Sequence, residues 1–233
     1  MRKLHEKLSE MSCVKILDIA TRDGAFIHRL SQGLKGYDEM IGIDISEKGF
    51  AKAKAKFGEN DRIRFQVMDG CHTDFEDQSF DLVCLSNSLH HIEDMTALFN
   101  EMRRLKKDDG CILISEMPAD GQTGASLTHA LIHRLDCLID TYQGNYHHLT
   151  YTHEEINDMV SKAGLEIIDA FDDAEIDLLN DSLKKRAEKA LDKANECSKA
   201  ENFTEMHDLA LKIQENFQSF GVNSAVQYVI FAR

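Results

Sequence analysis

The sequence predicts an α/β fold, a three-layer sandwich around a doubly wound, mostly parallel sheet, and three observations carry that expectation. Short apolar runs alternate with helical patterns from near the start of the chain. The runs are near-continuous in Val, Ile and Leu rather than alternating with polar residues, as expected for strands covered on both faces. An acidic residue, Asp18, Asp44 or Asp69, stands at or just after the end of each of the first three.

Taken in order, VKILDIA (14–20) is the first strand and a helix follows near 24–33. MIGIDI (40–45) and a helix near 47–56 complete a βαβ unit. IRFQVM (63–68) and FDLVCLS (80–86) are the next strands. The helix near 94–106 keeps Met95, Leu98, Phe99, Met102 and Leu105 at helical spacing, and CILIS (111–115) is strand five. After Pro118, the only proline, DGQTGAS reads as a loop before a helix near 124–142. In TYTHEEINDMVSKAG, Thr152 and Glu155 have the capping-box spacing and Gly164 stands where helices stop. LEIIDAF (165–171) and AVQYVIFA (225–232) are the last two strands. Between them the chain lacks Gly and Pro until Gly221. There Ile176, Leu179, Leu183, Ala187, Ala190 and Leu191 mark one face, and Met206, Leu209, Ile213, Phe217 and Phe220 another, which predicts two long helices. The expectation is one domain, 1–233, with helical insertions at about 119–150 and 172–222.

Composition narrows the function. With 233 residues, 42% apolar and 29% charged, the chain can bury one substantial core. No stretch approaches the ~18 consecutive apolar residues of a membrane span, and MRKLHEKLSEMS has no signal-peptide run, so a cytoplasmic location without membrane contact is expected. The six cysteines are scattered with no CxxC pair, which reads as reduced, buried thiols. A net charge of −14 disfavours phosphate backbones, so no nucleic-acid partner is expected; a small, neutral-to-cationic substrate fits better.

The strand ends carry the chemistry. After Asp18 the chain must turn sharply into a helix, bringing backbone N–H groups and the positive end of a helix to any ligand there. Asp44 lies 44 − 24 = 20 residues past Gly24, the interval at which an acidic side chain accepts two ribose hydroxyls in folds of this kind. Asp69 follows the third strand, placed to accept from an exocyclic amine of adenine. The plain alternative for each acid is a solvated turn or helix-cap residue.

The segments LDIATRDGAF, IGIDIS, VMDG with FEDQSFDLV, and LSNSLHHIED together resemble motifs I to IV of the class I S-adenosylmethionine-dependent methyltransferases, especially the small-molecule branch similar to ubiquinone and menaquinone methyltransferases. The resemblance covers about residues 14–115. It implies a Rossmann-like seven-stranded sheet with an antiparallel last strand, S-adenosylmethionine as cofactor and methyl transfer to a small molecule. It also implies Asp18 near the methionine amine, Asp44 on the ribose, Asp69 on the adenine, and Ser86 and Asn87 at the methionine end. Ala20, Arg22, Gly24, Ile45 and Gly70 complete the expected cofactor set. This chain departs from the family in having Ala20 and Arg22 where glycines are usual, leaving Gly24. Three roles are open to Arg22: straining a turn that suits glycine or filling the cleft, pairing with a carboxylate at the cleft mouth, or pointing outward into solvent. A dinucleotide oxidoreductase would need glycine at Ala20, Arg22 and Ala25, and has none of them.

His90 and His91 follow the fourth strand, where either is a candidate proton acceptor for the methylated nucleophile; the alternative is that they cap or pack the next helix. His129, His133, His147, His148 and His153, five of the 11 histidines, cluster in the insertion. His129, His133 and Asp136 share helical spacing, but no thiol pair completes a closed zinc site, and no metal is expected. Tyr142, Tyr146, His147 and His148 are expected to line the substrate site, against the alternative of a partly exposed polar loop. The 172–222 helices either cap the cleft, form a homodimer face, or pack as a local hairpin. A second function class remains: a non-catalytic nucleoside-binding protein of this fold acting through a protein partner.

Overall fold

The computed structural model describes residues 3–174 and 181–233. Seven strands form one sheet: β1 (Ser12–Ile19), β2 (Gly36–Asp44), β3 (Ile63–Val67), β4 (Phe80–Ser86), β5 (Lys106–Glu116), β6 (Ile167–Asp173) and β7 (Gln227–Ala232). Their order is β3-β2-β1-β4-β5-β7-β6, with β7 antiparallel to both neighbours and the other pairings parallel. The strand order reverses between β1 and β4, where crossovers leave in opposite directions and open a crevice at the carboxyl ends. Asp18 pairs with Gly42 on one side and Cys84 on the other, so the acidic ends of β1 and β2 lie side by side in that crevice.

The continuous apolar runs are explained by burial on both faces. Leu17, Ile19, Ile41, Ile43, Val83 and Leu85 pack beneath α4 (Met95–Leu105) and α6 (His153–Lys162). Ile16, Met40, Leu82 and Cys84 pack on the opposite face under α1 (Lys3–Ser9) and α2 (Ala25–Gly33). Each such side chain, fully buried, contributes about 1.5–3 kcal/mol. The capping box read at Thr152 and Glu155 is present in both directions, and Gly164 follows the helix at φ +73°.

Two departures from expectation stand out. The opening segment forms α1, whose Leu4 and Leu8, four residues apart, are both fully buried. The second insertion forms two short helices, α7 (Asp181–Glu188) and α8 (Ala190–Glu196), and one long one, α9 (Phe203–Phe220), rather than two long helices. Its breaks near Lys189 and Cys197 contain neither Gly nor Pro, so helix-favouring composition hid them. Ile176 and Leu179 lie outside the described residues.

The two insertions pack on each other. Ile132 and Leu135 of α5 (Gly124–Tyr142) join Ala187, Ala190, Ala194, Met206, Leu209 and Ile213 in a third apolar cluster, separate from the two on the sheet. This helical cap stands over the carboxyl ends of the strands, since residues of α5, α7 and α8 line one cleft together with the ends of β1, β2 and β4. Among the described residues no helix is long and apolar enough to cross a membrane.

Candidate functional site

The turn leaving β1 is built from left-handed backbone: Ala20 has φ +56°, Arg22 +49° and Gly24 +69°. Thr21 N–H donates to Ile43 O at 2.9 Å and Gly24 N–H to Thr21 O at 2.8 Å, which locks the turn against β2. Only Gly24 adopts its conformation without cost; the other two each store about 1–2 kcal/mol of steric strain. Among the described non-glycine residues with positive φ, three of four (Ala20, Arg22, Asn87) stand at this edge of the sheet. Gly49, before α3 (Phe50–Phe57), approaches the turn so closely that a Cβ there would lie 2.2 Å from Arg22 O.

Asp44 is oriented by that turn. Its Oδ2 accepts from Arg22 N–H at 2.9 Å and its Oδ1 from Ser46 N–H at 3.0 Å, leaving lone pairs on both oxygens directed into the cleft mouth. Ile45 beside it is 78% exposed. Asp69 caps its own turn, Oδ1 accepting from Cys71 N–H at 2.9 Å. Asp18 is 1% exposed, and neither carboxylate oxygen has a hydrogen-bond partner among the described residues. Burial pushes its carboxyl up to about 7; the nearby Thr21 hydroxyl opposes the rise and Asp44 adds to it.

Of the expected cofactor residues, Ala20, Arg22, Asp44, Ile45, Asp69, Gly70, Ser86 and Asn87 line one cleft of about 1490 Å³, while Asp18 and Gly24 lie behind its wall. A cleft that size exceeds the ~300–1,000 Å³ of a pocket for one small ligand. The opposite wall is the helical cap, with Tyr142 and His147 of the expected substrate residues. Tyr146 and His148 do not line it; His148 instead stacks on Tyr151, ring centroids 4.7 Å apart. The trio of α5 is also parted: His129 Nδ1 accepts from Ala225 N–H at 2.9 Å, and Asp136 pairs with Arg186 and, at 3.3 Å, with Lys193.

The cleft floor holds four histidines from three segments. His90 and His91 follow β4, His133 comes from α5 and His147 from the loop after it. Ring centroids lie 4.6 Å apart for His90 and His133, 4.2 Å for His91 and His147, and 5.0 Å for His133 and His147. His90, 2% exposed, has Nδ1 3.1 Å from Oε1 of the buried Glu116. Desolvation, then His90 and His147, drives His133 down to about 2; desolvation also brings His129 down to about 4. His91 is shifted downward too, first by desolvation and then by His90 and His147, but it is exposed along the cleft wall, where solvent blunts the effect. Glu116 and Asp140, which hold His90 and His147, escaped sequence reasoning because the partners lie 26 and 7 residues apart with no local signature.

Residues 17–114 match a methyltransferase domain model, spanning β1 to β5 and the turns at the cleft. That segment, less than half of the chain, is similar to methyltransferase domains. Demethylmenaquinone methyltransferase of Staphylococcus aureus is 29% identical over 103 residues, 44% of this chain and 43% of the relative. A highly reducing polyketide synthase of Gibberella fujikuroi is 35% identical over 117 residues, 46% of this chain but 5% of the relative. The chain thus spans less than half the length of either. The YcgJ protein of Bacillus subtilis shares the fold at a TM-score of 0.63 and 19% identity, covering 98% of this chain and 96% of that one. Phosphoethanolamine N-methyltransferase 2 of Haemonchus contortus, solved with phosphomonomethylethanolamine and S-adenosylhomocysteine, does so at 0.57 and 20%, over 98% of this chain and 51% of that one. The matched segment ends before the helical cap, so the cap's share of the cleft lining comes from residues outside it.

Proposed function

We propose that this protein binds S-adenosylmethionine at the ends of β1 to β4 and transfers its methyl group to a small molecule held beneath the helical cap. One observation carries the reading: three carboxylates end three adjacent strands in three different states. Asp18 is buried with no partner, Asp44 is aimed by two backbone N–H groups, and Asp69 is exposed at the rim. Their donor-poor, anionic set fits the cofactor's chemistry. A cationic ammonium at the wall in front of Asp18 would offset its buried charge through space, two ribose hydroxyls would satisfy the free lone pairs of Asp44, and the adenine amine Asp69, with exposed Ile45 offering an apolar face to the ring.

The cofactor supplies a methyl group on a sulfonium, and displacement is in line, so the protein's task is to hold the nucleophile and take its proton where it has one. His91 is placed for the proton, because it lines the cleft, is exposed to it, and forms no side-chain hydrogen bond among the described residues. His90 is buried against Glu116 and acts on its neighbours instead. The cleft volume left beyond a nucleoside favours a small acceptor between His91, His147 and Tyr142. Free cysteines throughout fit a reducing, cytoplasmic setting.

Calorimetry with S-adenosylmethionine and S-adenosylhomocysteine tests the proposal. Binding of both at one site, lost in Asp44→Ala, is expected; failure to bind either overturns it.

A further inference from the structure

We propose that His90, His133 and His147 hold one divalent transition-metal ion on the floor of the cleft, through their Nε2 atoms. Each histidine offers a nitrogen lying within 4.8 Å of the others'. His90 Nε2 and His133 Nε2 are 3.1 Å apart. A tetrahedral ion with nitrogens at 2.0–2.1 Å spaces them about 3.4 Å apart, so closing the triangle needs only small side-chain adjustments.

The partners of the outer ring nitrogens show which atoms point inward. His90 Nδ1 faces Glu116 Oε1 at 3.1 Å, and Glu116 is itself fixed by Leu89 N–H on Oε2 at 2.9 Å and Met117 N–H on Oε1 at 3.0 Å. His147 Nδ1 faces Asp140 Oδ2 at 2.7 Å. A carboxylate accepts, so both Nδ1 atoms carry the proton and both Nε2 atoms present lone pairs. Carboxylate, imidazole and ion in series is the arrangement that sets tautomer and orientation in metal sites. His147 Nε2 is buried with no partner. His133 can give its single N–H to His90 and then leaves His147 unsatisfied; an ion satisfies all three.

Three neutral imidazoles suit zinc and neighbouring first-row ions rather than magnesium or calcium. With three protein ligands a fourth position is open, and the same cleft is lined by Ser86, His91 and Tyr142, so that position faces the acceptor space. An acceptor with an ionisable oxygen or sulfur would bind the ion there and give its proton more readily to His91. That last role rests on the methyl-transfer reading; metal binding does not. The sequence concealed the site because its ligands come from three segments, whereas the spacing within α5 drew attention to His129 and Asp136.

The test uses the full chain, stripped with a chelator and titrated with Co(II) alone, then Zn(II) in competition. One equivalent is expected, with the visible absorption of a four- or five-coordinate cobalt site. His133→Ala and His147→Ala each weaken binding by at least about 100-fold, Glu116→Gln by about 10- to 100-fold, and His207→Ala, on α9, leaves it unchanged. Circular dichroism checks that each variant folds, and the loop position of His147 keeps the test usable if His133→Ala does not. Wild-type affinity no higher than that of His147→Ala overturns the site. Calorimetry of S-adenosylhomocysteine with the stripped protein separates this failure from failure of the cofactor reading, since nucleoside binding is expected to survive metal removal.

Discussion

The backbone N–H of Arg22 donates to Asp44 Oδ2 at 2.9 Å, so the residue that breaks the glycine pattern also aims the carboxylate at the end of β2. The side chain of Arg22 is exposed at the cleft wall and makes no hydrogen bond or ion pair among the described residues. Its backbone, at φ +49°, carries both the strain and the function.

Replacing Arg22 by glycine therefore keeps the N–H and relieves the strain. Relief is about 1–2 kcal/mol, offset by about 0.4–1 kcal/mol of extra unfolded-chain entropy. Arg22→Gly is expected to gain between nothing and about 1.6 kcal/mol in urea unfolding. Its affinity for S-adenosylhomocysteine should stay within about fivefold of wild type, because an exposed charge contributes little. A loss beyond that would assign the guanidinium to cofactor binding.

Asp44→Ala has the opposite profile. Two backbone donors lose a charged acceptor, each such bond being worth about 1.5–3 kcal/mol, and the turn of Ala20 to Gly24 keeps only the Thr21 N–H to Ile43 O tie to β2. Nucleoside affinity is expected to fall by more than about 100-fold, some 2.7 kcal/mol, together with a loss of stability from the two broken bonds. An unchanged affinity would remove Asp44 from the site.

How much was legible in the sequence follows from how local each feature is. β1, β2, β4 and the second half of β5 could be read because strands buried on both faces are largely apolar, and Thr152 with Glu155 because a capping box is contained in four residues. Asp18, Asp44 and Asp69 were readable as strand ends. The meeting of His90, His133 and His147 was not, since it depends on α5 docking over β4, and nothing local encodes that. The packing of α5 on α9 was equally hidden: each helix shows an apolar face, but periodicity does not name the partner. α1 was passed over although Leu4 and Leu8 carried a helical signal, because seven residues offer too few positions to display it.

Leu8 of that helix packs against Gly33, where an added Cβ would come within 2.8 Å of Leu8 Cδ1. Leu8→Ala is expected to cost about 2–5 kcal/mol, the range for emptying a buried leucine site. Gly33→Ala alone should also destabilise, by crowding. The double variant should lose less than the sum, because the smaller residue at 8 makes room for the methyl at 33. Strict additivity in urea unfolding would show that the two residues do not touch.

Asp18 sets a pH dependence whose sign follows from its burial. Its carboxyl titrates near 7 in the folded chain against an ordinary 3.8, so between those values the folded state holds a proton that the unfolded state has released. Stability from this group is fully present below about pH 4, declines as pH rises toward 7, and levels off above it. The span of about three units sets an upper bound of about 4 kcal/mol. Asp18→Asn keeps the shape and removes the charge, so in urea unfolding at pH 5, 6, 7 and 8 the variant should gain steadily on wild type. On the proposed reading, the cofactor's ammonium would reverse the preference by favouring the ionised carboxylate. Binding to wild type should then release a proton below pH 7 and tighten as pH rises, effects seen in calorimetry across buffers of different ionisation enthalpy and missing in Asp18→Asn. Parallel stability curves for the two proteins, together with proton release unchanged by the substitution, would show that Asp18 is already ionised in the folded chain and has no part in holding the cation.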